Sequence, residues 1–293
     1  MILCISSKKD IASKKIAEEL IYEYKFEKMK EMYRNFPIYQ KIIGSREIRL
    51  ITVDRELVLE EKITEVFNPE LIIFISRHES KSGKSILSVH TPGNLGTAQF
   101  GGVSRKVSIA PANNMRNALI QIMIQKKKIG LNKFEVYYEG THHGPTLDFP
   151  SMFLEIGSTP RDWTNSEAAK VVARSIVTSM DNDLKVPVAL GLGGPHCNRR
   201  FTRLAIEHNI AFGHIIPNYL LGILDAEVLK KCIKRTSEEV KMIILDWEGI
   251  DGRERMSLIG KLEKFPLEIC RVNDFKRGQL RNDAYRPCQK KQL

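Results

Sequence analysis

The sequence of 293 residues has few cysteines, and none of them form a C-x-x-C pair. Its five cysteines are odd in number and widely separated along the chain. This pattern excludes a disulfide-based fold and a zinc site built from thiolates, and it favours a reducing, cytoplasmic location. The chain also lacks a hydrophobic run of membrane-spanning length, and Lys8 and Lys9 come too early for a secretory signal. No membrane association is therefore expected.

Several common enzyme signatures are missing as well. There is no Gly-x-Ser-x-Gly nucleophile elbow, no internal repeat and no low-complexity segment. The four glycines of residues 93–102 match neither a P-loop nor a dinucleotide-binding fingerprint. Amides of this loop could approach a phosphate or a sugar, but glycine content alone is weak evidence for such a role.

Acidic residues are in the minority, with 35 Asp and Glu against 46 Lys and Arg, which gives a net charge of +11. Such a balance favours a partner covered in phosphates, either nucleic acid or a membrane surface. Nucleic acid is preferred, because the sequence shows no basic amphipathic helix of the kind that binds a membrane surface. Residues 271–293 carry seven basic residues and two Asp, as expected of either a solvated tail or an RNA-binding arm. Lys126, Lys127 and Lys128 end a predicted helix, where a capping role and RNA contact are equally open.

Short apolar runs alternate with amphipathic stretches along most of the chain, which predicts an α/β fold with a mainly parallel, doubly wound sheet. Residues 1–270 are predicted to form one α/β domain, either as a single unit or as two closely packed lobes. Residues 271–293 are predicted to be a basic tail.

Histidine placement gives the strongest functional signal. Two predicted strands, residues 134–138 and 152–156, flank a Gly- and Pro-rich link that carries Glu139, His142 and His143. Six of the seven histidines lie at or near predicted strand ends, where open α/β sheets bind their ligands. Neutral imidazoles with a carboxylate form the ligand sets of catalytic zinc sites.

Two metal-free alternatives stay open from the residues alone. One is a histidine base with the amides of Gly193 and Gly194 as an oxyanion hole, and the other is Cys197 as a nucleophile beside His196. Neighbouring residues of a strand point to opposite faces, so His142 and His143 are not expected to bind one metal unless the loop twists.

Several motifs in order resemble the archaeal and plant type of D-aminoacyl-tRNA deacylase. They are Ser-Arg-His-Glu-Ser at 76–80, Ser-Val-His-Thr-Pro-Gly-Asn at 88–94, His-His-Gly-Pro-Thr at 142–146, Phe-Leu-Glu-Ile-Gly-Ser at 153–158, the glycine-rich run at 191–202 and residues 214–219. The resemblance implies a three-layer core like that of phosphorylases and peptidyl-tRNA hydrolases. It also implies zinc-dependent hydrolysis of the ester between a D-amino acid and the terminal ribose of tRNA.

From the motifs and the chemistry together, we expect Zn²⁺ ligands among His90, His142 and His196, and catalytic or proton-transfer roles for His143 and Glu155. Substrate contacts are expected from Arg77, His78, Asn94 and Arg200. The expected partner is D-aminoacyl-tRNA, and the expected oligomeric state is a monomer.

The chain departs from the family pattern at Pro195, Cys197 and Arg199, where a third Gly, a Tyr and a Pro usually stand. Pro195 has no amide hydrogen to donate, so weaker activity or an altered substrate range is expected. Two other functions remain compatible with the residues: a metal-dependent hydrolase or phosphorylase of a small molecule, and a non-catalytic RNA-binding protein.

Overall fold

A computed structural model of the protein describes residues 1–180 and 184–275. Fifteen strands alternate with helices through these residues. The strands are β1 (Ile2–Ser7), β2 (Glu27–Tyr33), β3 (Phe36–Ile43), β4 (Arg46–Val53), β5 (Leu71–Glu79), β6 (Ile86–His90), β7 (Gly93–Asn94), β8 (Lys106–Val107), β9 (Glu135–Glu139), β10 (Ser151–Ser158), β11 (Val188–Leu192), β12 (Cys197–Asn198), β13 (Ala211–Ile216), β14 (Val240–Leu245) and β15 (Glu268–Arg271). The helices are α1 (Ile11–Tyr22), α2 (Ala112–Ile129), α3 (Pro160–Trp163), α4 (Ser166–Ser179), α5 (Arg199–Glu207), α6 (Asn218–Leu221), α7 (Ala226–Lys234) and α8 (Gly252–Leu262).

The strands form two main sheets. The larger has nine strands in the order β12-β9-β6-β10-β5-β1-β4-β3-β2, and the smaller has four parallel strands in the order β13-β11-β14-β15. Parallel pairing predominates at the centre of the large sheet, in β4-β1-β5-β10, while β6 runs antiparallel to β10. The predicted α/β class is confirmed, but the strand pattern did not predict that the strands divide between two sheets.

Helices fill the space between the two sheets. The largest hydrophobic cluster joins Ile73 of β5, Leu119 of α2, Val172 of α4 and Phe212 of β13, all fully buried. A second cluster covers the other face of the small sheet with α7 and α8. The small sheet therefore has helices on both faces, as a doubly wound arrangement requires.

The other face of the large sheet is covered by loops and short 3-10 turns rather than by long helices. Its hydrophobic cluster includes Phe74 of β5 and Phe153 of β10, whose rings stack at 4.7 Å. Side chains alternate along β10: Leu154 and Ile156 face the helices, whereas Phe153 faces the loops. This loop-covered face carries the candidate site.

Residues 271–275 belong to the packed fold. Val272 and Phe275 are buried in the largest cluster, and β15 pairs with β14 up to Arg271. The rest of the predicted tail, residues 276–293, lies outside the described residues. The division of the chain at residue 270 stays a prediction.

The hairpin β2-β3 was not predicted. β2 is largely exposed, β3 is mostly half-buried, and their pairing register shifts between Lys28 and Met32, so the sequence carries no clear hydrophobic alternation. Within the described ranges, no helix is long and apolar enough to cross a membrane. Cys4, Cys197 and Cys232 are free thiols, as expected.

Candidate active site

The candidate site lies on the loop-covered face of the large sheet, around β10. Glu155 of β10 pairs in register with Ser76 of β5, and Gly157 pairs with His78. On the other side of β10, Phe153 pairs with His90, the last residue of β6. His78 and His90 therefore lie at or near the ends of β5 and β6, which run in opposite directions on the two sides of β10.

Gly157 allows His78 to lie over β10. A Cβ at position 157 would come within 2.6 Å of the Cβ atom of His78 and 2.7 Å of its carbonyl oxygen, so no larger residue fits there without a shift. The absence of a side chain brings the His78 ring toward the centre of the site.

The loop after β9 brings His142 and His143 to the same place. His143 has a φ of +44°, which turns the backbone so that both rings face His90. The ring centroids of His90 and His142 are 4.3 Å apart, those of His142 and His143 4.2 Å, and those of His90 and His143 5.0 Å. The loop therefore twists, and His142 and His143 can serve one metal.

Close backbone packing fixes this loop. Gly144 contacts the backbones of Gly101 and Val58 so tightly that a Cβ there would lie 2.4 Å from the Gly101 carbonyl carbon and 2.5 Å from the Val58 oxygen. The amide of Gly93 donates to the His143 oxygen at 2.7 Å. The glycine-rich segment 93–102 thus supports the loop of His142 and His143 through its backbone.

Glu139, the last residue of β9, is the centre of the polar network. Its Oε2 lies 3.0 Å from His196 Nε2, 3.8 Å from His142 Nε2 and 4.0 Å from His90 Nδ1. Its Oε1 lies 3.0 Å from His78 Nδ1. The sequence indicated a carboxylate at this point, but not that one carboxylate would contact four of the histidines.

Two groups of side chains have the composition of a catalytic zinc site. His90, His142 and His143 form a three-histidine group, and Glu139, His142 and His196 form a group of two histidines and a carboxylate. In each, the ligand atoms lie within 4.8 Å of one another. Both sets are known for catalytic zinc, so the residues fit the metal. The predicted trio of His90, His142 and His196 is divided between the two groups.

Hydrogen bonds distinguish the histidines. His142 Nδ1 is 2.8 Å from the Gly140 oxygen and His143 Nδ1 is 2.7 Å from the Gly144 oxygen, which leaves each Nε2 as the unprotonated nitrogen. Both ring nitrogens of His90 are buried without a hydrogen-bond partner among the described residues. Such unpartnered nitrogens are costly in a protein interior unless something binds them.

Burial and charge set the protonation states. Burial lowers the pKa of His143 to about 4, and it holds the pKa of His90 and of His142 well below the usual range, so all three imidazoles are neutral at pH 7. Burial also opposes protonation of His78, but the adjacent Glu139 and Glu155 raise its pKa to about 10. A positive imidazolium therefore lies beside a cluster of neutral ones.

Glu155 has the partners expected of a carboxylate in an apolar strand. Ser76 Oγ donates to its Oε1 at 2.6 Å, and its Oε2 lies 3.5 Å from His78 Nδ1. Burial raises the pKa of this carboxyl. The carboxylate therefore lies beside the charged His78 imidazole, and one of its oxygens also lies within 4.8 Å of a ring nitrogen of His90.

A cavity of about 650 Å³ opens over these residues and is lined by His78, His142, His143, Glu155 and His196. Arg77 also lines it, with its guanidinium 3.6 Å from Asp10 and 3.5 Å from Glu56.

Asn94 and Arg200 do not line this cavity. Asn94 donates to the Gly101 oxygen at 2.8 Å, and Arg200 is paired with Asp246 at 2.7 Å. Their contacts with substrate, like that of Arg77, stay predictions.

The metal-free oxyanion hole proposed from the glycine-rich run is contradicted by the structure. The Gly193 amide already donates to the Ile216 oxygen at 2.8 Å, and the Gly194 amide donates to Asn218 Oδ1 at 2.9 Å. Cys197 is an unsuitable nucleophile because burial, together with Glu139, raises the pKa of its thiol.

His214 does not join the site, although its strand position suggested that it would. It is fully buried on β13, with Nδ1 3.1 Å from Thr141 Oγ1 and Nε2 3.1 Å from the Arg235 oxygen. Through Thr141, it connects β13 to the loop that carries His142. Tyr219, in contrast, was not predicted and lies 3.1 Å from His196 Nδ1 through its hydroxyl.

Comparison with known proteins decides the family. The family model of D-aminoacyl-tRNA deacylase matches residues 65–270. The chain belongs to the D-aminoacyl-tRNA deacylase family. The D-aminoacyl-tRNA deacylase of Thermococcus kodakarensis is 35% identical over 280 residues, which cover 92% of this chain and 100% of that protein. That of Archaeoglobus fulgidus is 32% identical over 289 residues, covering 97% and 99%.

One solved structure shares the complete fold of this deacylase family member. It is a crystal structure described as a conserved protein of unknown function, with a TM-score of 0.84 and 30% identity over 95% of this chain and 97% of that one. The comparisons confirm the family expected from the motifs, and with it the expected D-aminoacyl-tRNA deacylase activity. The small-molecule enzyme and the non-catalytic RNA-binding protein lose their support.

Proposed function

We propose that the chain hydrolyses D-aminoacyl-tRNA with the help of zinc, held by His90, His142 and His143. The observation that carries this proposal is the buried His90 ring, whose two nitrogens have no hydrogen-bond partner in the described part of the chain. His142 and His143 each donate Nδ1 to a backbone carbonyl, as ligating histidines do, and so direct Nε2 toward a metal. A zinc ion held by these residues would supply a Lewis acid that makes water a stronger nucleophile at neutral pH.

Glu139 is the proposed proton acceptor. Its Oε2 lies 3.8 Å from His142 Nε2 and 3.0 Å from His196 Nε2, directly behind two of the rings that line the cavity. His78 holds the other carboxylate oxygen at 3.0 Å. Contacts on both oxygens keep the carboxylate ionised and in a fixed orientation, since the neighbouring histidines hold its pKa well below the usual range.

His78 and His196 complete the proposed chemistry. The protonated His78 imidazole brings positive charge toward the ester oxygen, where negative charge develops during attack, and Glu155 orients its ring. His196 contacts both Glu139 Oε2 and the Tyr219 hydroxyl, so it can carry a proton toward the departing ribose oxygen. Arg77 remains the proposed contact for a substrate phosphate at the rim.

The two possible ligand groups make opposite predictions about zinc content. Zinc on the three-histidine group requires that His90→Ala, His142→Ala and His143→Ala each lose most of the metal, while His196→Ala keeps it and loses activity. Zinc on Glu139, His142 and His196 would instead be lost from His196→Ala and kept in His90→Ala. Metal content and D-Tyr-tRNA turnover should be measured on the same preparations, with Tyr22→Ala, an exposed change on α1, as the control.

His143 and His196 are the informative residues, because the sequence assigned proton transfer to His143 and metal binding to His196. If His143→Ala keeps its zinc, then the proposal fails in favour of the assignment made from the sequence. If all four variants keep both their zinc and their activity, then this cluster has no catalytic role.

A further inference from the structure

Phe100 is an aromatic side chain at the catalytic cavity that no step described above uses. It exposes 69% of its surface, yet it lines the cavity together with His142 and His143. It belongs to none of the hydrophobic clusters formed by the described residues. Because the ring is both exposed and at the cavity, it is open to contact by any ligand that enters there.

The position of Phe100 is fixed relative to the catalytic loop. Its carbonyl oxygen accepts a hydrogen bond of 2.8 Å from the amide of Gly144, next to His143. The following residue, Gly101, packs so closely on Val58 that a Cβ there would lie 1.9 Å from the Val58 oxygen. These backbone contacts hold residue 100 in place while its side chain remains free, which is the arrangement expected of a preorganised binding surface.

The position of the ester within the tRNA indicates which part of the substrate contacts the Phe100 ring. The ester carbonyl must reach the histidines, and from there the RNA has to leave through the mouth of the cavity, because its body stays in solvent. Ser76 and Glu155 are buried at the floor of the cavity, whereas Phe100 stands exposed at its rim. The group nearest to the ester on the RNA side is the terminal nucleoside, and bases stack readily on exposed aromatic rings.

We propose that the base of the terminal adenosine of tRNA stacks on the ring of Phe100 and so positions the ester over the histidines. This inference rests on the proposed deacylation of tRNA. It makes Phe100 a substrate-positioning residue, and it assigns to the glycine-rich loop a second task besides supporting His143. Recognition of a base, unlike recognition of the amino acid side chain, does not depend on which D-amino acid is attached.

The kinetic test uses substrates with and without the base. Phe100→Ala should lower kcat/KM about tenfold to a hundredfold for D-Tyr-tRNA and for D-tyrosyl-adenosine, as expected for the loss of one stacked base. The same variant should hydrolyse D-tyrosine ethyl ester at the rate of the unmodified protein. Phe100→Trp should keep kcat/KM for the two adenosine-containing substrates near that of the unmodified protein. Phe100→Leu, which keeps apolar bulk without an aromatic face, should show the same loss as Phe100→Ala.

D-Ala-tRNA separates base stacking from contact with the amino acid side chain. The proposal requires that Phe100→Ala lose activity equally toward D-Ala-tRNA and D-Tyr-tRNA. A loss confined to D-Tyr substrates would assign the ring to the tyrosine side chain and overturn the proposal. An equal loss on the ethyl ester would show that the variant disturbs the catalytic loop, and would overturn the proposal as well.

A binding measurement separates this inference from the deacylation itself. A tRNA with 2-aminopurine at its terminal position should show fluorescence quenching on binding to the protein and to Phe100→Trp, and much less on binding to Phe100→Ala. Tyr22→Ala, which removes another exposed aromatic side chain, should quench normally. If D-Tyr-tRNA is not hydrolysed but the quenching pattern holds, then the proposed function fails and the base contact stands. Equal quenching by all variants would refute the base contact whatever the activity.

Discussion

The imidazole of His78 and the carboxylate of Glu139 form a buried ion pair, with Nδ1 3.0 Å from Oε1. Burial by itself would favour the neutral forms of both groups. Their mutual attraction instead raises the pKa of His78 to about 10 and holds that of Glu139 well below its usual range. The pair thereby keeps a positive charge and a proton acceptor next to the neutral His90, His142 and His143.

Glu139→Gln tests this pair directly. Without the carboxylate, burial dominates at His78, and the pKa of His78 should fall toward neutrality because the charged form loses its main partner. Turnover of D-Tyr-tRNA should fall about a hundredfold or more, the usual loss for a general base. NMR titration of the His78 resonance and zinc content give the two other readouts. Glu135→Gln, an exposed change on the same strand, is the control, and an unshifted His78 titration would contradict the assignment.

Buried His214 predicts a pH dependence of stability. Burial lowers its pKa to about 4, whereas an unfolded histidine titrates near 6.5, so between these values the unfolded chain binds more protons. The stability contributed by neutral His214 is therefore complete above pH 6.5 and is lost as the pH falls toward 4, by roughly 3 kcal/mol in total.

The measurement is urea unfolding of the protein and of His214→Gln at pH 7.5 and pH 5, with a chelator present so that metal loss does not contribute. The unfolding free energy of the unmodified protein should fall more between the two pH values than that of the variant. Equal falls would show that His214 does not titrate as described.

Gly144→Ala should disrupt the loop of His142 and His143. The new methyl group would meet the backbones of Gly101, Gly102 and Val58 at 2.4 to 2.5 Å, and backbone atoms cannot move aside as a flexible side chain can. We expect a loss of about 1 to 3 kcal/mol in unfolding free energy and a larger relative loss of activity, because the ligand loop is displaced. Gly260→Ala on α8, where nothing lies within 4 Å of the added methyl group and φ is not positive, is the control for stability. Normal activity in Gly144→Ala would show that the loop position is not critical.

The basic tail should be tested by truncation after Phe275, since Val272 and Phe275 pack in the core and an earlier end would remove part of the fold. Residues 276–293 carry six Lys and Arg. If they bind tRNA phosphates, truncation should flatten the dependence of log Kd on log salt by roughly 0.7 to 0.9 for each phosphate that the tail no longer neutralises. An unchanged slope would identify the tail as a solvated segment.

Lys126, Lys127 and Lys128 provide a comparison on the folded domain. They occupy the last turn of α2, where cations stabilise the negative end of the helix. If this is their whole role, then changing all three to Gln lowers the unfolding free energy and leaves the salt slope unchanged. A flatter slope in this variant would show that the helix end touches RNA.

The sequence predicted most elements of the fold because those elements are buried on a regular face. α2 and α4 have an apolar face with helical period, whereas β1 and β5 are continuous apolar runs, as expected of buried central strands. The hairpin β2-β3 was missed because its exposed and half-buried side chains leave no periodic signal. The separation into two sheets depends on which strands pair over long distances, and hydrophobic period carries no information on that.

Within the site, the sequence predicted well which residues lie close together. It predicted less well which role each of them has. The motifs identified His78, His90, His142, His143, Glu155 and His196, and the structure brings all six to one cavity region. Neither the positive φ at His143, which turns two adjacent rings toward His90, nor the several histidine contacts of Glu139 could be predicted. The turn at His143 lies beside close backbone packing among Val58, Gly101 and Gly144, and the Glu139 contacts join His78, His90 and His196, all of them far apart in the chain.

Zinc-assisted hydrolysis of the D-ester is tested most directly by the rate of ester loss from D-Tyr-tRNA and L-Tyr-tRNA, measured with the protein as purified, after chelation, and after zinc is restored. We predict rapid hydrolysis of the D-ester alone, its loss on chelation, its recovery with zinc, and no recovery in His142→Ala, whose imidazole belongs to both ligand groups. Equal hydrolysis of the two enantiomers, or full activity in His142→Ala, would contradict this mechanism.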